Sequence, residues 1–376
     1  MTSTLGRRQA RRSVVALLAL SVLAACQTGP RGAPGPEIVT PVPGAKNRVA
    51  LIVPLNGVDG PIGTSISRAA ALALVDTRNQ QIVLTVFDST KGGAAAAANQ
   101  ALASGNELII GPLTADDVRA VAPIARKANV PVIAFSNDRD VAGNGVFIMG
   151  TVPSESIDRT VRYARSKGAA RFGGLVPTNL YGQRVSHALL TAVQRTGGTV
   201  GGLQSYGQTG ASVRSAVAAL NGKGPFDAVV IGDTTSTAAV AAPGVRSGTR
   251  IIGTELWGNE RTIGRSAALR GAWYAALPNE RFDQLVTRYR AQYGKTPYRL
   301  ASLGYDAMLL TIRTSKFWTP GQPFPARRLI EKEGFSGVDG IFRFNRDGVA
   351  ERALEVRQVT AAGSTVLSPA PTTFAD

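Results

Sequence analysis

Several polar side chains that could hold a small solute follow predicted strands of this 376-residue chain. Ser136 and Asn137 come directly after an apolar run, where they can either hydrogen-bond a ligand or close a turn. Asp233 and Glu255 follow two later apolar runs, and Trp257 lies two residues beyond Glu255. Both acids are candidates to hold an ammonium group, and solvated loop acids are the alternative. Ligands of open α/β sheets lie at the carboxyl ends of strands, which is where all five residues fall.

A second candidate feature is the helix start at Thr114, after another apolar run. Thr114 is a good N-cap residue with Asp117 three positions later, which is typical of a well-made helix start. The alternative is a carboxylate seat, because free backbone N–H groups and the helix dipole favour an anion there. Asp116 and Asp117 would repel such an anion. Tyr181 opens a later helix and could pack either on a ligand or on a neighbouring part of the protein.

The patterns that would indicate an enzyme are weak or missing in the sequence. The spacing of Gly57, Gly60 and Gly63 matches neither the dinucleotide-binding glycine pattern nor the lysine-bearing phosphate loop. His187 is the one histidine and sits beside Ser186, and adjacent helix positions do not face each other. No G-x-S-x-G motif or metal-ligand spacing is present. We therefore expect a non-enzymatic protein with no cofactor and no metal.

Apolar runs and helical patterns alternate along most of the chain. Runs without polar alternation are typical of parallel strands covered on both faces. The predicted strands are Arg48–Pro54, Gln81–Asp88, Leu108–Gly111, Val132–Phe135, Val146–Met149, Phe172–Val176, 199–206, Phe226–Ile231 and Ile251–Gly253. The predicted helices are 64–77, 93–104, 115–129, 154–168, 181–197 and 211–221. This order predicts an α/β protein with two units, near 48–147 and 148–270, each a mostly parallel sheet flanked by helices.

The last third of the chain has too few residues for another domain. Two helices are predicted at about 280–293 and 299–316. Two short strands, Ile341–Phe344 and Leu354–Val359, are predicted to form a hairpin through the turn at 345–348. We expect the late helices to return to the first unit and the last strands to the second.

The N-terminal residues resemble a targeting sequence rather than part of the folded domain. Four arginines within residues 7–12 precede the apolar stretch 13–25, which is too short to span a bilayer and is typical of a secretory signal. The junction Leu23-Ala24-Ala25-Cys26 resembles a bacterial lipobox, in which the cysteine is acylated; a plain signal with a chance cysteine is the alternative. We therefore predict a signal peptide at 1–25, and a lipidated Cys26 with a Pro/Gly-rich tether at 26–46. Gln27 favours the outer membrane as the final site.

The composition excludes some partners. Hydrophobic residues make up 44% of the chain, which excludes a disordered protein. The formal net charge is +17, but the cations are scattered and few aromatic residues lie among them. We therefore expect no nucleic-acid partner. A dispersed basic surface is one interpretation, and attraction to anionic lipid, an acidic polymer or an acidic protein is the other.

Several separated motifs resemble one family. They are VPL at 53–55, IIGPLTADDVRAVAPIARKANVPVIAFSND at 109–138, Tyr181-Gly182, and GFSGVDGIFRFNRDG at 334–348. In this order they resemble type I periplasmic binding proteins of the leucine/isoleucine/valine type, over about residues 47–360. The resemblance implies a two-lobed fold with three hinge crossings, which we expect near 147–152, 268–275 and 334–340. The implied lobes are 47–147 plus about 275–336 and 148–274 plus about 337–365, with a tail at 366–376.

Within that superfamily, the AFSND segment and the lipobox look closest to penicillin-binding-protein activators of the LppC type. This resemblance implies a non-enzymatic lipoprotein that reaches from the outer membrane and stimulates a peptidoglycan synthase. The alternative is an ABC-transporter substrate-binding lipoprotein, which captures a leucine-type amino acid or a related small solute between its lobes.

The resemblance also implies ligand-binding positions. Amino-acid binders use a hydroxyl residue after the Gly-Pro turn, which Thr114 or Ala115 would match, and small hydroxyl residues where Ser136 and Asn137 stand. Their stacking tyrosine matches Tyr181. The acid that holds the ammonium group would be one of the two acids named above, and Trp257 belongs to the same candidate cleft. The acids at 116, 117 and 138 depart from the family pattern, which weakens the amino-acid interpretation.

Overall fold

The computed structural model describes residues 44–260 and 262–374, which contain fifteen strands and nine α-helices. The predicted signal peptide, Cys26 and most of the tether lie outside the described residues. The strands are β1 (Asn47–Val53), β2 (Ile82–Asp88), β3 (Leu108–Ile110), β4 (Val132–Ala134), β5 (Val146–Ile148), β6 (Arg171–Pro177), β7 (Thr199–Tyr206), β8 (Ala228–Ile231), β9 (Arg250–Ile252), β10 (Trp273–Ala276), β11 (Phe335–Gly337), β12 (Gly340–Phe344), β13 (Ala350–Arg352), β14 (Glu355–Thr360) and β15 (Gly363–Ser368). The helices are α1 (Gly60–Asp76), α2 (Ala94–Ala103), α3 (Ala115–Lys127), α4 (Pro153–Ser166), α5 (Leu180–Arg195), α6 (Gly210–Asn221), α7 (Thr235–Ala241), α8 (Glu280–Tyr293) and α9 (Ala301–Ser315). None of these helices is long and apolar enough to cross a bilayer.

The first sheet has five parallel strands in the order β2-β1-β3-β4-β5. Both of its faces are covered, because alternate side chains of each strand point to opposite sides. Leu51 packs towards α1 and α9, whereas Ile52 packs towards α2 and α3. Complete burial on both faces explains why these strands read as unbroken apolar runs in the sequence.

The second sheet has seven strands in the order β15-β14-β10-β9-β8-β6-β7. The strands from β6 to β10 are parallel, and β14 and β15 add an antiparallel edge. Helices α4 and α5 cover one face and α6 and α7 the other. Two mostly parallel sheets, each flanked by helices, confirm the predicted two-lobed α/β architecture.

The third sheet, β11-β12-β13, corrects the predicted C-terminal hairpin. The turn at 345–348 joins β12 to β13, with Phe344 opposite Ala350, while β14 pairs with β10 and β15 in the second sheet. The prediction was wrong because β13 is three residues long and carries the sequence Ala-Glu-Arg, which has no strand signal of its own. Phe342 packs in the core of the first sheet, although the expected boundary of lobe 2 was about 337.

Within residues 44–260 and 262–374, the chain passes between the two large sheets three times. The segments are 149–152 after β5, 277–279 after β10, and 353–354 after β13. The second and third segments come later than the hinge positions expected from the sequence, because β10 pairs in the second sheet and β11 to β13 pack on the first. Strand β15 likewise extends into the segment expected to be a tail. The lobe boundaries themselves stay a prediction.

Candidate ligand-binding cleft

A cavity of about 230 Å³ lies where loops of the two lobes meet. Its walls combine loops after β3, β4 and β9, two of the crossing segments, and the start of α9. These loops converge because parallel strands place their carboxyl ends at one edge of a sheet. The lining residues are Leu113, Phe135, Asn137, Gly150, Thr151, Glu255, Leu256, Gly258, Asn259, Ala276, Leu277, Arg299, Leu300, Ser302, Leu303 and Asp339.

Glu255 is the most unusual polar group in this wall. It is only 8% exposed and begins the 3₁₀ turn after β9. Ser156 Oγ lies 3.0 Å from Glu255 Oε2 and donates to it. Burial raises the pKa of the Glu255 carboxyl to about 7, against which the hydrogen bonds from Ser156 and Tyr181 act only in part. The carboxyl is therefore poised between its neutral and charged forms at neutral pH.

Tyr181 supports Glu255 from within the same lobe. Its hydroxyl oxygen lies 2.9 Å from Glu255 Oε1 and 2.9 Å from Thr254 Oγ1. An ionised carboxylate can only accept, so Tyr181 donates its proton to Glu255. Burial, and then the charge of Glu255, raise the pKa of the Tyr181 phenol far above its usual range. Tyr181 is therefore a neutral donor that orients the carboxylate.

The wall formed by α9 and the third sheet carries a closed ion pair. Arg299 pairs with Asp339, and Ser302 Oγ donates to the second oxygen of Asp339 at 2.7 Å. The Arg299 guanidinium also lies 4.1 Å from the centroid of the Phe282 ring. Since Arg299 and Asp339 neutralise each other, they leave little net charge. Glu255, in contrast, forms no ion pair with another residue of the described chain.

The rest of the lining is mainly apolar. Six large side chains, Leu113, Phe135, Leu256, Leu277, Leu300 and Leu303, contribute to both sides of the cavity. An apolar cavity with a few fixed polar groups is the usual form of a small-molecule site. Such a wall favours a solute with an apolar body, and an acid without a cationic partner favours a positively charged group on that solute.

Outside this cavity, a network of ion pairs joins the two lobes. Asp138, which follows β4, is 2% exposed and lies 2.6 Å from Arg119 of α3. Its other oxygen lies 2.6 Å from Arg184 of α5, in the opposite lobe, and Arg184 is also 3.2 Å from Asp140. A buried carboxylate that pairs with two guanidinium groups is a strong local interaction. This network therefore holds the two lobes together beside the cavity.

We expect Arg184→Met to open the ligand-free protein. Asp138 would lose its partner across the lobes while staying buried, so the free energy of unfolding should fall by about 1–3 kcal/mol. Small-angle scattering should show a larger radius of gyration, and urea unfolding should show the loss of stability. Arg195→Met is the matched control, because Arg195 lies on the same helix but pairs with Asp158 inside one lobe at 3.2 Å. Identical scattering and stability for the two variants would contradict this role.

Two of the residues singled out in the sequence line the cavity together: Asn137, which is exposed, and Glu255. Thr114 and Ala115 do not line it, and Thr114 Oγ1 accepts from the N–H of Asp117 at 3.2 Å as an N-cap. Ser136 is buried and accepts from the N–H of Asp138 at 3.0 Å. Thr114 therefore acts as the helix cap that the sequence indicated, and Ser136 has the local turn role that was its alternative to ligand binding.

Asp233 and Trp257 lie away from this cavity. Asp233 accepts from the hydroxyl of Tyr206 at 3.1 Å and lines a separate hollow at the carboxyl ends of β6 and β7. Trp257 is fully buried in the second lobe, where its indole N–H donates to the carbonyl of Asp233 at 2.9 Å. Its ring also covers the backbone of Gly253, where a Cβ atom would come within 2.1 Å of the ring. Trp257 is therefore part of the core.

Helix α9 and the crossing segments contribute residues to the cavity that no sequence motif indicated. Arg299 and Asp339 line the cavity but lie far from the polar motifs that follow the predicted strands, and Thr151, which follows the predicted strand Val146–Met149, was not singled out. The aspartate at 339 stands inside the quoted segment 334–348, which was the one signal that could have pointed to it. Asn259 follows Glu255 in the same loop and could have been included on position alone.

Comparison with known proteins gives a family for the chain. A family model described as "Periplasmic binding protein" matches residues 46–364. An uncharacterized protein of Rickettsia prowazekii is 22% identical over 170 residues, which are 45% of this chain and 46% of that protein. The chain therefore spans about half the length of this curated relative.

Three solved structures illustrate the shared fold. An ABC transporter substrate-binding protein from Desulfitobacterium hafniense, in complex with Leu, is 19% identical with a TM-score of 0.69, over 86% of this chain and 100% of that chain. A branched chain amino acid ABC transporter periplasmic ligand-binding protein from Burkholderia xenovorans is 14% identical with a TM-score of 0.71, over 86% and 95%. A solute binding protein of an ABC transporter from R. palustris, in complex with benzoate, is 17% identical with a TM-score of 0.66, over 88% and 98%.

Proposed function

Because the chain belongs to the periplasmic binding protein family, we propose that its cleft captures a small solute for an ABC permease. The solute has an apolar body and an ammonium group, as a branched-chain amino acid does. The observation that carries this proposal is Glu255, a buried carboxyl that forms no ion pair with any described residue and lies in a mainly apolar cavity between the lobes. An ammonium group would supply the missing opposite charge.

The size of the cavity supports a small solute. At about 230 Å³ it is smaller than the ~300–1,000 Å³ of pockets for drug-sized ligands. The amide groups of Asn137 and Asn259 and the hydroxyl of Thr151 offer donors for the carboxylate end of an amino acid. This arrangement differs from the carboxylate-binding site expected at Thr114, because the Thr114 hydroxyl oxygen already caps α3.

The solved relatives support a small solute with an apolar body, since they include a complex with Leu, a branched chain amino acid ligand-binding protein and a complex with benzoate. The family implies a periplasmic protein that binds its substrate without transforming it. Acylation at Cys26, attachment to a membrane through that lipid, and an outer-membrane site remain part of this proposal.

A thermal-shift screen tests solute capture. The purified protein is heated at pH 8 with each of the twenty amino acids and with benzoate. We expect a branched-chain amino acid to stabilise the folded state by about 2.7 kcal/mol at a hundredfold excess over Kd. Benzoate is the informative comparison, because it has an apolar body but no ammonium group. No shift with any amino acid would overturn the proposal, and a shift with benzoate alone would remove the role of Glu255.

The second candidate function is regulation of a peptidoglycan synthase, as the resemblance to penicillin-binding-protein activators implies. One observation favours it: Asn137 and Asp138 stand where the resemblance implies a plain hydroxyl residue, and the two carboxylate oxygens of Asp138 pair with Arg119 and Arg184. Regulation would be favoured if a pull-down from envelope extracts recovers a synthase and no amino acid stabilises the protein in the thermal-shift screen. A shift with amino acids and no recovered synthase would favour capture.

A further inference from the structure

The end of the first lobe opposite the cleft carries six exposed cations. We call this surface the basal face and define it by Lys46, Arg48, Arg78, Arg126, Lys127 and Lys316, with the apolar side chains of Val75 and Phe317. All eight residues are exposed. They come from the start of β1 and from the C-terminal ends of α1, α3 and α9. The basal face therefore belongs to one edge of one sheet.

The topology brings these residues together. The five strands of the first sheet are parallel and begin at this edge, so the helices between them end here. The side-chain amide of Asn47 donates to the carbonyl of Trp318 at 3.1 Å, which joins the start of β1 to the segment after α9. The N–H of Glu107 donates to the carbonyl of Arg48 at 3.0 Å, and the N–H of Asn47 donates to Gln81 at 2.9 Å. Adjacent turns thus form one continuous edge.

The cations of the basal face are not used in ion pairs. None of the six lies within 4.0 Å of a carboxylate of the described residues, whereas thirteen other such contacts occur in that part of the chain. Of the acids at this edge, Asp76 is already paired with Arg288. Glu107 is half-buried, and its burial raises the pKa of its carboxyl despite the charge of Arg48 nearby. The helix dipole favours cations at C-terminal ends, but the basal face has only three helix ends and carries six cations.

Two large apolar side chains accompany these charges. Phe317 is 57% exposed and Val75 is 59% exposed. Phe317 is also covered on one side by the Arg328 guanidinium, which lies 4.2 Å from the ring centroid. Exposed apolar side chains surrounded by arginine and lysine are typical of surfaces that rest in the headgroup region of a bilayer.

The chain also enters the fold at this face. Gly44 to Lys46 are exposed and lead directly into β1, so the preceding segment joins the folded part here. Cys26, the predicted acylation site, belongs to that segment. We propose that the basal face docks on the anionic surface of a phospholipid bilayer, so that the first lobe rests on the membrane and the cleft faces away from it. The occupant of this face is the lipid headgroup layer, and the proposal is independent of which solute the cleft takes.

Vesicle flotation tests the docking. The chain starting at residue 27 without its cysteine cannot be acylated, and it keeps every hydrophobic cluster because all five are built from residues after Gly44. We expect it to bind vesicles of phosphatidylcholine with 30% phosphatidylglycerol, and not vesicles of phosphatidylcholine alone. Binding should disappear in 0.5 M NaCl, where the Debye length falls to about 4 Å.

Variants distinguish binding through the basal face from a general effect of the net charge of the protein. The triple variant K46Q/K127Q/K316Q should weaken binding to the anionic vesicles about a hundredfold. The matched control is R214Q/R265Q/R270Q, which removes three exposed cations from the second lobe. This control should bind like the parent chain. Phe317→Ser should also weaken binding, whereas Leu190→Ser, which replaces a side chain 46% exposed on α5, should not.

Three results would overturn the proposal. They are equal losses in the two triple variants, no binding of the parent chain to anionic vesicles, and full binding by K46Q/K127Q/K316Q. Thermal unfolding of every variant checks that each one is folded. Recovery of an acidic protein through the basal face without any vesicle binding would assign the surface to that protein instead of the bilayer.

Discussion

Glu255→Gln should abolish the ligand-induced rise in thermal stability and leave the ligand-free protein at least as stable at pH 8. Glutamine keeps the size of the side chain but removes the charge that an ammonium group would pair with. Breaking a buried ion pair costs about 3–5 kcal/mol, which corresponds to a loss of affinity of more than a hundredfold. The ligand-free protein loses nothing comparable, because ionised Glu255 pairs with no cation among the described residues and its burial is itself unfavourable.

Glu260→Gln is the matched control for this variant. Glu260 lies in the same loop, but its carboxylate accepts from the N–H of Thr262 at 2.8 Å and is outside the cavity wall. The same change of charge at that position should leave the thermal shift intact. A full ligand-induced shift in Glu255→Gln, measured beside this control, would show that the carboxyl does not bind the solute.

The affinity should also depend on pH in a defined direction. With a pKa of about 7 in the empty cleft, Glu255 is ionised in only about a tenth of the molecules at pH 6 and in most of them at pH 8. Only the ionised form pairs with an ammonium group, so the apparent Kd at pH 6 should be about tenfold weaker than at pH 8. Titration calorimetry at the two pH values measures this ratio, and a pH-independent Kd would contradict it.

The alternation of strands and helices was predictable because the parallel strands are buried on both faces. The apolar runs that became β1, β3 and β4 carry this signal in a few residues each. Strand β10, with the sequence Trp-Tyr-Ala-Ala, was missed because it owes its conformation to pairing with β9 on one side and β14 on the other. Helix α7 was missed because seven small residues give no helical periodicity.

Only those residues of the candidate site that follow the end of a single predicted strand could be found from the sequence. Asn137 and Glu255 were found because each lies two residues after the end of a predicted strand. Arg299 and Asp339 lie in the same cavity because the chain crosses between lobes and because α9 packs beside the first sheet, which no local pattern expresses. Trp257 was assigned to the cleft by its position, whereas Gly253 beneath its ring was the signal of a buried role.

The free energy of unfolding should fall by several kcal/mol between pH 5 and pH 8.5. Three buried carboxyls cause this, because burial raises the pKa of Glu155 to about 8, that of Glu255 to about 7, and that of Asp306 in the same direction. In the unfolded chain glutamates titrate near 4.5. Between these values the folded state binds more protons than the unfolded state, so stability decreases as the pH rises. The shift of Glu255 alone corresponds to about 3 kcal/mol.

Carboxyls with lowered pKa values make the free energy of unfolding rise with pH, but they act below pH 5. Hydrogen bonds from Thr90 and from backbone N–H groups lower the pKa of Asp88 to about 2, so its contribution is lost only as the pH falls below its unfolded value of 3.8. Asp227 and Glu260, whose pKa values are lowered by similar hydrogen bonds, act in the same acidic range. Urea unfolding from pH 5 to pH 8.5 therefore reports the buried carboxyls.

Glu155 should dominate this dependence because half of its carboxyl is unsatisfied. Its Oε1 accepts from the N–H of Arg352 at 2.8 Å, whereas its Oε2 is buried without a hydrogen-bond partner in the described chain. The Arg352 side chain does not compensate fully, since its Nε donates to the carbonyl of Met149 at 2.8 Å. A buried carboxylate oxygen without a donor disfavours the charged form, so the protonated acid is the stable species at neutral pH.

Glu155→Gln should therefore be more stable than the parent protein at pH 8.5 and should show a flatter pH dependence. The amide keeps an acceptor for the N–H of Arg352 and never ionises. Asp88→Asn serves as the control, because it removes an acid whose pKa is lowered and should leave the slope between pH 5 and pH 8.5 unchanged. A parent protein whose stability is constant or increases over this range would contradict the assignment, as would an equal slope in Glu155→Gln. Since Glu155 lies in the first turn of α4, just after the crossing at 149–152, a flattened slope would also locate the proton uptake beside the first connection between the lobes.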